Sequence, residues 1–139
     1  MKKIYYGYAV YDQKEINAVT EVLTKKNLTL IDGPSVKLFE KKVAKLFGKK
    51  FGLMVNSGSS ANLLAIASLN LKKGSEIITP TLTFSTTVAP IYQLGMVPHF
   101  VDVEMNKFII NTEQIEKAIN KKTKAILSLI HISEPTRPY

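Results

Sequence analysis

The stretch GLMVNSGSSANLLAI, residues 52–66, changes character at its middle and guides the interpretation of the whole chain. Residues 51–55 are apolar and β-prone, which predicts a buried strand. Residues 56–60 are small and polar, and the apolar run that follows predicts a helix over residues 59–70. A strand that passes through Gly58 into a helix leaves free N–H groups at the positive end of the helix dipole. Such a helix start binds anions, and the ligand we expect is a phosphate.

Three serines surround this turn, and their hydroxyl groups are short hydrogen-bond donors: Ser57, Ser59 and Ser60. The alternative is that a serine only caps the helix, which is common for a single serine. Three serines and a glycine within four positions exceed what capping requires, so we favour a phosphate site. The chain contains neither the dinucleotide fingerprint G-x-G-x-x-G nor the P-loop motif, so those two phosphate ligands are not indicated.

A second polar loop, TPTLTFSTT at residues 79–87, follows another predicted strand and contains Phe84. An isolated phenylalanine would by default pack in the core. A ring beside a phosphate site can instead stack on a planar heterocycle. Pyridoxal phosphate has one phosphate and one aromatic ring, so this cofactor would use both features together.

The remaining chain alternates helical and strand patterns. Helices are predicted from Asp12, with Glu15 as its capping-box partner, and from Pro34, with Gly48 at the end of the second helix. The later predicted elements are a strand over residues 76–79 stopped by Pro80, a short helix capped by Ser85 and closed by Gly95, a strand ending near Val101, a helix capped by Asn111 or Thr112, and a strand from residue 123. This order indicates an α/β fold, a mostly parallel sheet with flanking helices, whose ligands bind beyond the carboxyl ends of the strands.

Composition excludes several classes of protein. The 139 residues indicate one domain or part of a larger one, and without cysteine there is no disulfide framework and no thiolate metal site. No apolar run approaches the ~18 residues of a membrane span, and no signal-peptide pattern is present, so we expect a cytoplasmic protein without a membrane partner. The net charge is +8, but the lysines fall in scattered pairs and the only arginine is Arg137, which disfavours a nucleic-acid partner.

Several motifs occur in one order: NSGSSANLLAI, GSEIITPTLTFSTTVAPIYQLG and PHFVDVE, with DGPSVKLFEKKVAKLFGKK upstream and TKAI downstream. With these motifs the chain, from about residue 4 to residue 127, resembles the DegT/StrS family of sugar aminotransferases. The resemblance implies the N-terminal half of the large domain of the aspartate-aminotransferase-like fold, which is fold type I of the pyridoxal-phosphate enzymes. It also implies that Gly58, Ser59 and Ser60 hold the phosphate of pyridoxal 5'-phosphate or pyridoxamine 5'-phosphate, and that Phe84 stacks on the pyridine ring.

The activity implied by the resemblance is transfer of an amino group from an amino acid, with glutamate as the expected donor, to a nucleotide-linked keto-sugar. The pathway would be cell-surface polysaccharide or deoxysugar biosynthesis, and the intact enzyme would be a homodimer. The sequence motifs NSGSSANL and FSTTVAP are also similar to those of the nucleotide-sugar 3-dehydratase branch. Those proteins use the aminated cofactor and carry His where the aminotransferases have the Schiff-base Lys, and both activities stay open.

No catalytic residue and no metal ligand is assigned. In the family, the Schiff-base lysine and the acid facing the pyridine nitrogen come after the TKAI segment. The lysines here are explained as surface charge, and the resemblance implies a structural role for Asp102. We therefore expect residues 1–127 to be part of a pyridoxal-phosphate-binding large domain that is inactive alone. Residues 128–139, SLIHISEPTRPY, look like translated sequencing-adaptor DNA, which predicts a non-native tail. The alternative from another class is a non-catalytic phosphate-binding module.

Overall fold

The computed structural model describes residues 7–25 and 29–128, so the predicted tail lies outside it except for Ser128. The chain forms two compact units with a boundary between Met54 and Val55. The first unit contains helices α1 (Gln13–Thr24) and α2 (Pro34–Leu46). The second unit contains α3 (Gly58–Ser68), β1 (Glu76–Pro80), α4 (Ser85–Gln93), β2 (Val97–Val101), α5 (Thr112–Ala118) and β3 (Thr123–Ile126).

Helix α1 begins with the predicted capping box. The Asp12 carboxylate accepts a hydrogen bond from the Lys14 backbone N–H at 2.7 Å, and the Glu15 carboxylate accepts one from the Asp12 N–H at 2.8 Å. These two reciprocal contacts satisfy donors that the first turn leaves free. Helix α2 also begins as predicted, at Pro34, and a left-handed Gly48 (φ 62°) follows its end. Both helices are therefore fixed by local sequence signals.

The predicted strand over residues 51–55 is wrong, because these residues belong to no sheet in the described chain. The Met54 N–H donates to Glu40 Oε1 of α2 at 2.7 Å. Gly52 approaches α2 so closely that a Cβ atom on it would lie 2.7 Å from the Glu40 carbonyl oxygen. A strand forms only where a neighbouring backbone completes its hydrogen-bond ladder. This segment instead packs along a helix, and a side chain accepts from its backbone.

The second unit is built on a three-stranded parallel sheet in the order β2-β1-β3. Four of the five residues of the central strand β1 are buried, as expected for a strand covered on both faces. On one face Ile77 packs with Ile66 of α3 and Ile91 of α4. On the other face Ile78 packs with Val101 and with residues of α5. The predicted α/β class, a parallel sheet with flanking helices, is confirmed.

The register of the sheet aligns the ends of two strands. Thr79 pairs with Phe100 and Pro80 with Val101, so β1 and β2 end side by side. Pro80 is the last residue of β1 rather than the residue that stops it. The loops after β1 and β2 therefore leave the sheet at the same edge, where ligands bind in parallel sheets.

Candidate functional site

The first turn of α3 contains backbone N–H groups without an acceptor in the described chain. Ser57 is its N-cap, and the Ser57 Oγ accepts from the Ser60 N–H at 3.2 Å. The Ser57 carbonyl accepts from the Ala61 N–H at 3.0 Å. The backbone N–H groups of Gly58 and Ser59 have no acceptor among the described residues. Two donors at the positive end of an 11-residue helix are thus available to an anion.

The three serines of this turn have different partners, which the sequence pattern does not reveal. The Ser60 hydroxyl donates to Asn56 Oδ1 at 2.6 Å, and the Ser57 hydroxyl donates to Ser60 Oγ at 3.2 Å. The Ser59 side chain is exposed and makes no hydrogen bond within the described chain. Ser59 therefore has the one hydroxyl of the three that can donate to a ligand without breaking a contact.

Gly58 leaves room in front of this turn. A Cβ atom built on Gly58 would meet no atom within 4 Å, so its backbone faces open space. A phosphate oxygen could approach the backbone there as closely as an N–H···O hydrogen bond requires. The free donors and the free space are chemically suited to a phosphate group.

Phe84 lies at the start of the neighbouring helix and not in the core. It is the N-cap of α4, and 66% of its surface is exposed. The predicted cap, Ser85, is instead the first helical residue, and no side chain caps this helix. The loop turns at its end through a hydrogen bond from the Thr87 N–H to the Phe84 carbonyl at 2.9 Å. Because Phe84 is exposed, it is not part of the core, and its ring is free to contact a ligand.

Helices α3 and α4 come together beside these residues. The Asn62 side-chain amide donates to the Thr86 carbonyl at 3.4 Å. A cavity of about 190 Å³ lies between the helices and is lined by Ser59, Ser60 and Thr86 among others. Ser59 and Ser60 therefore lie beside the first turn of α4, whereas Phe84, two positions before Thr86 in the chain, does not line this cavity. Sequence reasoning missed Asn62 and Thr86, because nothing in their local pattern separates them from ordinary helix residues.

A second polar network lies at the exits of β1 and β2. Asp102 Oδ1 accepts from the Thr81 hydroxyl at 3.0 Å and from the Val103 N–H at 2.8 Å. The Asp102 N–H donates to Gln114 Oε1 of α5 at 3.2 Å, and its carbonyl accepts from the Asn111 N–H at 2.9 Å. Asp102 thus connects the two strand exits with the start of α5.

A third polar group belongs to the other end of β1. The Glu76 carboxylate, on the first residue of that strand, accepts from Asn120 Nδ2 at 2.7 Å and contacts His99 Nδ1 at 3.2 Å. These hydrogen bonds, with Asn120 as the larger influence, lower the pKa of Glu76 below its ordinary value. These hydrogen bonds connect the first residue of β1 with Asn120 and His99, and they are not part of the candidate site.

The described part of the chain contains no buried lysine, no candidate metal site and no membrane-spanning helix. Every lysine there is exposed, as expected for surface charge. No group of three or more His, Cys, Asp or Glu side chains within residues 7–25 and 29–128 could hold a metal ion. The longest described helix has 13 residues, and none has the length and apolarity needed to cross a membrane.

Comparison with known proteins identifies relatives of the chain. The sequence profile of the DegT/DnrJ/EryC1/StrS aminotransferase family matches residues 10–133. The GDP-4-keto-6-deoxy-D-mannose 3-dehydratase of Yersinia pseudotuberculosis is 38% identical over 145 residues, which covers 97% of this chain and 36% of that protein. The chain spans about a third of the length of such relatives.

Solved structures give the same result. The Escherichia coli GDP-4-keto-6-deoxy-D-mannose-3-dehydratase, determined with bound hydrated PLP, matches with a TM-score of 0.77 and 42% identity, over 86% of this chain and 32% of that one. An aminotransferase from Psychrobacter cryohalolentis matches with a TM-score of 0.77 and 26% identity, over 88% and 31% of the two chains. These matches confirm the predicted fold, part of the large domain of fold type I. The chain belongs to the DegT/DnrJ/EryC1/StrS aminotransferase family.

Proposed function

We propose that the chain is the N-terminal part of a pyridoxal- or pyridoxamine-phosphate-dependent enzyme that acts on a nucleotide-linked keto-sugar. The observation that carries this proposal is the open start of α3, with Gly58 and Ser59 presenting free donors, beside an exposed Phe84 at the start of α4. A ligand with a phosphate and a flat ring would use both helix starts. Family membership supports the same ligand.

The residues of this chain would bind and orient the cofactor. Gly58 and Ser59 would donate backbone N–H groups to the phosphate, and the Ser59 hydroxyl would add a third donor. Ser60 would contribute by exchanging its hydroxyl hydrogen bond to Asn56 for one to the phosphate, because its backbone N–H already donates to Ser57 Oγ. Phe84 would stack on the pyridine ring. When bound, the cofactor supplies a carbonyl or amino group that exchanges with substrate and a ring that acts as an electron sink.

The first candidate reaction is removal of the 3-hydroxyl group from a nucleotide-linked 4-keto-6-deoxy sugar. It is favoured because the named 3-dehydratases are 38–42% identical to this chain, whereas the Psychrobacter aminotransferase is 26% identical. The second candidate is transfer of an amino group from glutamate to the keto-sugar, supported by the family as a whole. In either case we propose a homodimer, by analogy with the family.

Cofactor binding is tested by titrating the protein with pyridoxal 5'-phosphate and following the absorbance of the bound ring. The Gly58→Ala variant should fold normally, because its methyl group meets no protein atom, but the methyl group would enter the space proposed for the phosphate. We expect its affinity to fall roughly tenfold or more, since a lost hydrogen bond to a charged group costs about 1.5–3 kcal/mol. Ser68→Ala, at the other end of α3, is the matched control and should bind normally.

Because this chain spans about a third of its relatives and is expected to be inactive alone, the reaction is tested on the full-length protein, by mass spectrometry after incubation with a GDP-linked 4-keto-6-deoxy sugar, glutamate and the cofactor. A dehydratase gives a sugar that has lost one oxygen atom, whereas an aminotransferase gives one with an amino group in place of the carbonyl oxygen. Binding of inorganic phosphate without binding of pyridoxal 5'-phosphate would contradict the proposal and favour a non-catalytic phosphate-binding module.

We also propose the predicted organisation of the chain, with residues 1–127 in the cofactor-binding large domain and residues 128–139 as a non-native segment. Long-read sequencing of the source DNA across codon 127 tests it. A reading frame that continues without SLIHISEPTRPY supports the proposal, and a frame that contains this segment contradicts it.

A further inference from the structure

Asp102 occupies a junction between three elements of the second unit. Its carboxylate accepts from the Thr81 hydroxyl, at the exit of β1, and from the neighbouring Val103 N–H. Its own backbone is held on both sides, by Gln114 Oε1 and by the Asn111 N–H at the start of α5. The Asp102 side chain is exposed, but its backbone is held on both sides, which keeps the carboxylate within reach of the Thr81 hydroxyl.

Thr81 is the first residue of the loop that leads to Phe84. The strand residue before it, Pro80, is fully buried, and the Thr81 N–H donates to the Val101 carbonyl at 2.9 Å. Only residues 82 and 83 separate Thr81 from the exposed ring at the start of α4. Because the loop is so short, the placement of Thr81 restricts where Phe84 can lie.

We propose that Asp102 is a positioning residue, whose carboxylate holds Thr81 and thereby sets the position of the Phe84 ring against the cofactor. This inference rests on the proposed function, since it assigns Asp102 a part in recognition of the pyridine ring. Within the described chain, the Asp102 carboxylate makes hydrogen bonds to Thr81 and Val103 and none to the proposed phosphate donors of α3. Its removal should therefore weaken binding of the ring and leave binding of the phosphate unchanged.

The test compares the affinities of the protein for pyridoxal 5'-phosphate and for inorganic phosphate. Asp102→Ala should weaken binding of pyridoxal 5'-phosphate roughly two- to tenfold, the range expected for a misplaced stacking contact, with phosphate affinity unchanged. Asp102→Asn keeps a carbonyl oxygen that can accept both hydrogen bonds and should restore the affinity. A general structural defect would instead weaken both ligands equally and would overturn the inference.

A double-mutant cycle tests whether Asp102 acts through Phe84. If it does, Phe84→Ala and Asp102→Ala together should weaken pyridoxal 5'-phosphate binding no more than Phe84→Ala alone. Additive losses would overturn the inference. Thr81→Val should reproduce the loss seen with Asp102→Ala, whereas Thr81→Ser keeps the hydroxyl and should bind normally. Glu104→Ala, which removes a nearby carboxylate that pairs with Lys107, controls for loss of charge.

Hydrogen exchange gives a readout without ligand. Amides of residues 82–85 should exchange faster in Asp102→Ala than in the unaltered protein, and unchanged exchange would overturn the inference. If the unaltered protein does not bind pyridoxal 5'-phosphate, the proposed function fails and this inference with it. If the unaltered protein binds and Asp102→Ala binds equally well, only the inference fails.

Discussion

Ser57 and Ser59 lie two residues apart at the start of α3, yet the structure predicts opposite consequences for their replacement. The Ser57 side chain accepts from the Ser60 N–H and so completes the helix start. Ser57→Ala removes that acceptor, and loss of a serine N-cap costs about 1 kcal/mol of stability. Affinity for pyridoxal 5'-phosphate should change little while the helix stays folded, because the Gly58 and Ser59 donors are retained.

Ser59 makes no side-chain hydrogen bond in the described chain and is exposed. Ser59→Ala should therefore change the free energy of unfolding by less than about 0.5 kcal/mol, the usual range for a surface substitution. The proposed hydroxyl–phosphate hydrogen bond would be lost. Because a hydrogen bond to a charged group contributes about 1.5–3 kcal/mol, we expect the affinity for pyridoxal 5'-phosphate to fall roughly tenfold or more.

The assay combines urea unfolding, followed by circular dichroism, with titration of pyridoxal 5'-phosphate for the two variants and the unaltered protein. Ser68→Ala serves as the control, because its hydroxyl donates to the Ala65 carbonyl at the opposite end of the same helix. The reasoning is refuted if Ser59→Ala lowers stability as much as Ser57→Ala and leaves cofactor affinity unchanged.

Three further predictions concern stability. Gly52→Ala should destabilise the first unit by about 1–3 kcal/mol, because its methyl group would lie 2.7 Å from the Glu40 carbonyl oxygen. The measurement is protection from proteolysis, and unchanged protection would contradict the close packing. Thr79→Val should raise the free energy of unfolding by up to about 1 kcal/mol, because the buried Thr79 hydroxyl has no partner among the described residues. The measurement is the urea midpoint, which should rise; a lower midpoint would reveal a partner. Hydrogen bonding, chiefly from Asn120, lowers the pKa of Glu76 in the folded protein. Its contribution to stability is therefore present above the unfolded pKa and is lost as the pH falls through the lowered folded pKa. The measurement is the free energy of unfolding as a function of pH. In Glu76→Gln the loss of stability in acid should be smaller than in the unaltered protein, and an identical pH profile would contradict the role of Glu76.

Features set by neighbours in sequence were predicted well. The capping box of Asp12 and Glu15, the start of α2 at Pro34 and the positive φ of Gly48 and Gly95 all depend on residues within one or two turns. The alternation of strands and helices, and with it the parallel sheet, also follows from local periodicity. Hydrogen bonds within four residues and steric limits on φ act regardless of the rest of the fold, so the sequence alone can predict them.

Features that depend on distant residues required the tertiary structure. The apolar residues 51–55 form no strand, because the Met54 N–H finds an acceptor on Glu40, 14 residues away. The contact of Asp102 with Thr81 joins residues 21 apart, and it exists only because β1 and β2 end side by side.

The candidate site shows the same division. The Gly58-Ser59-Ser60 pattern predicted an anion site from sequence, since a glycine and serines at a helix start have that property wherever they occur. Which serine is free was not predicted, although the contacts that occupy the other two are local: the Ser60 hydroxyl donates to Asn56, whereas that of Ser59 has no partner in the described chain. That Phe84 is exposed at the start of α4 and not buried in the core was decided by tertiary structure. Sequence determines which groups are available, and packing determines which of them remain free to bind.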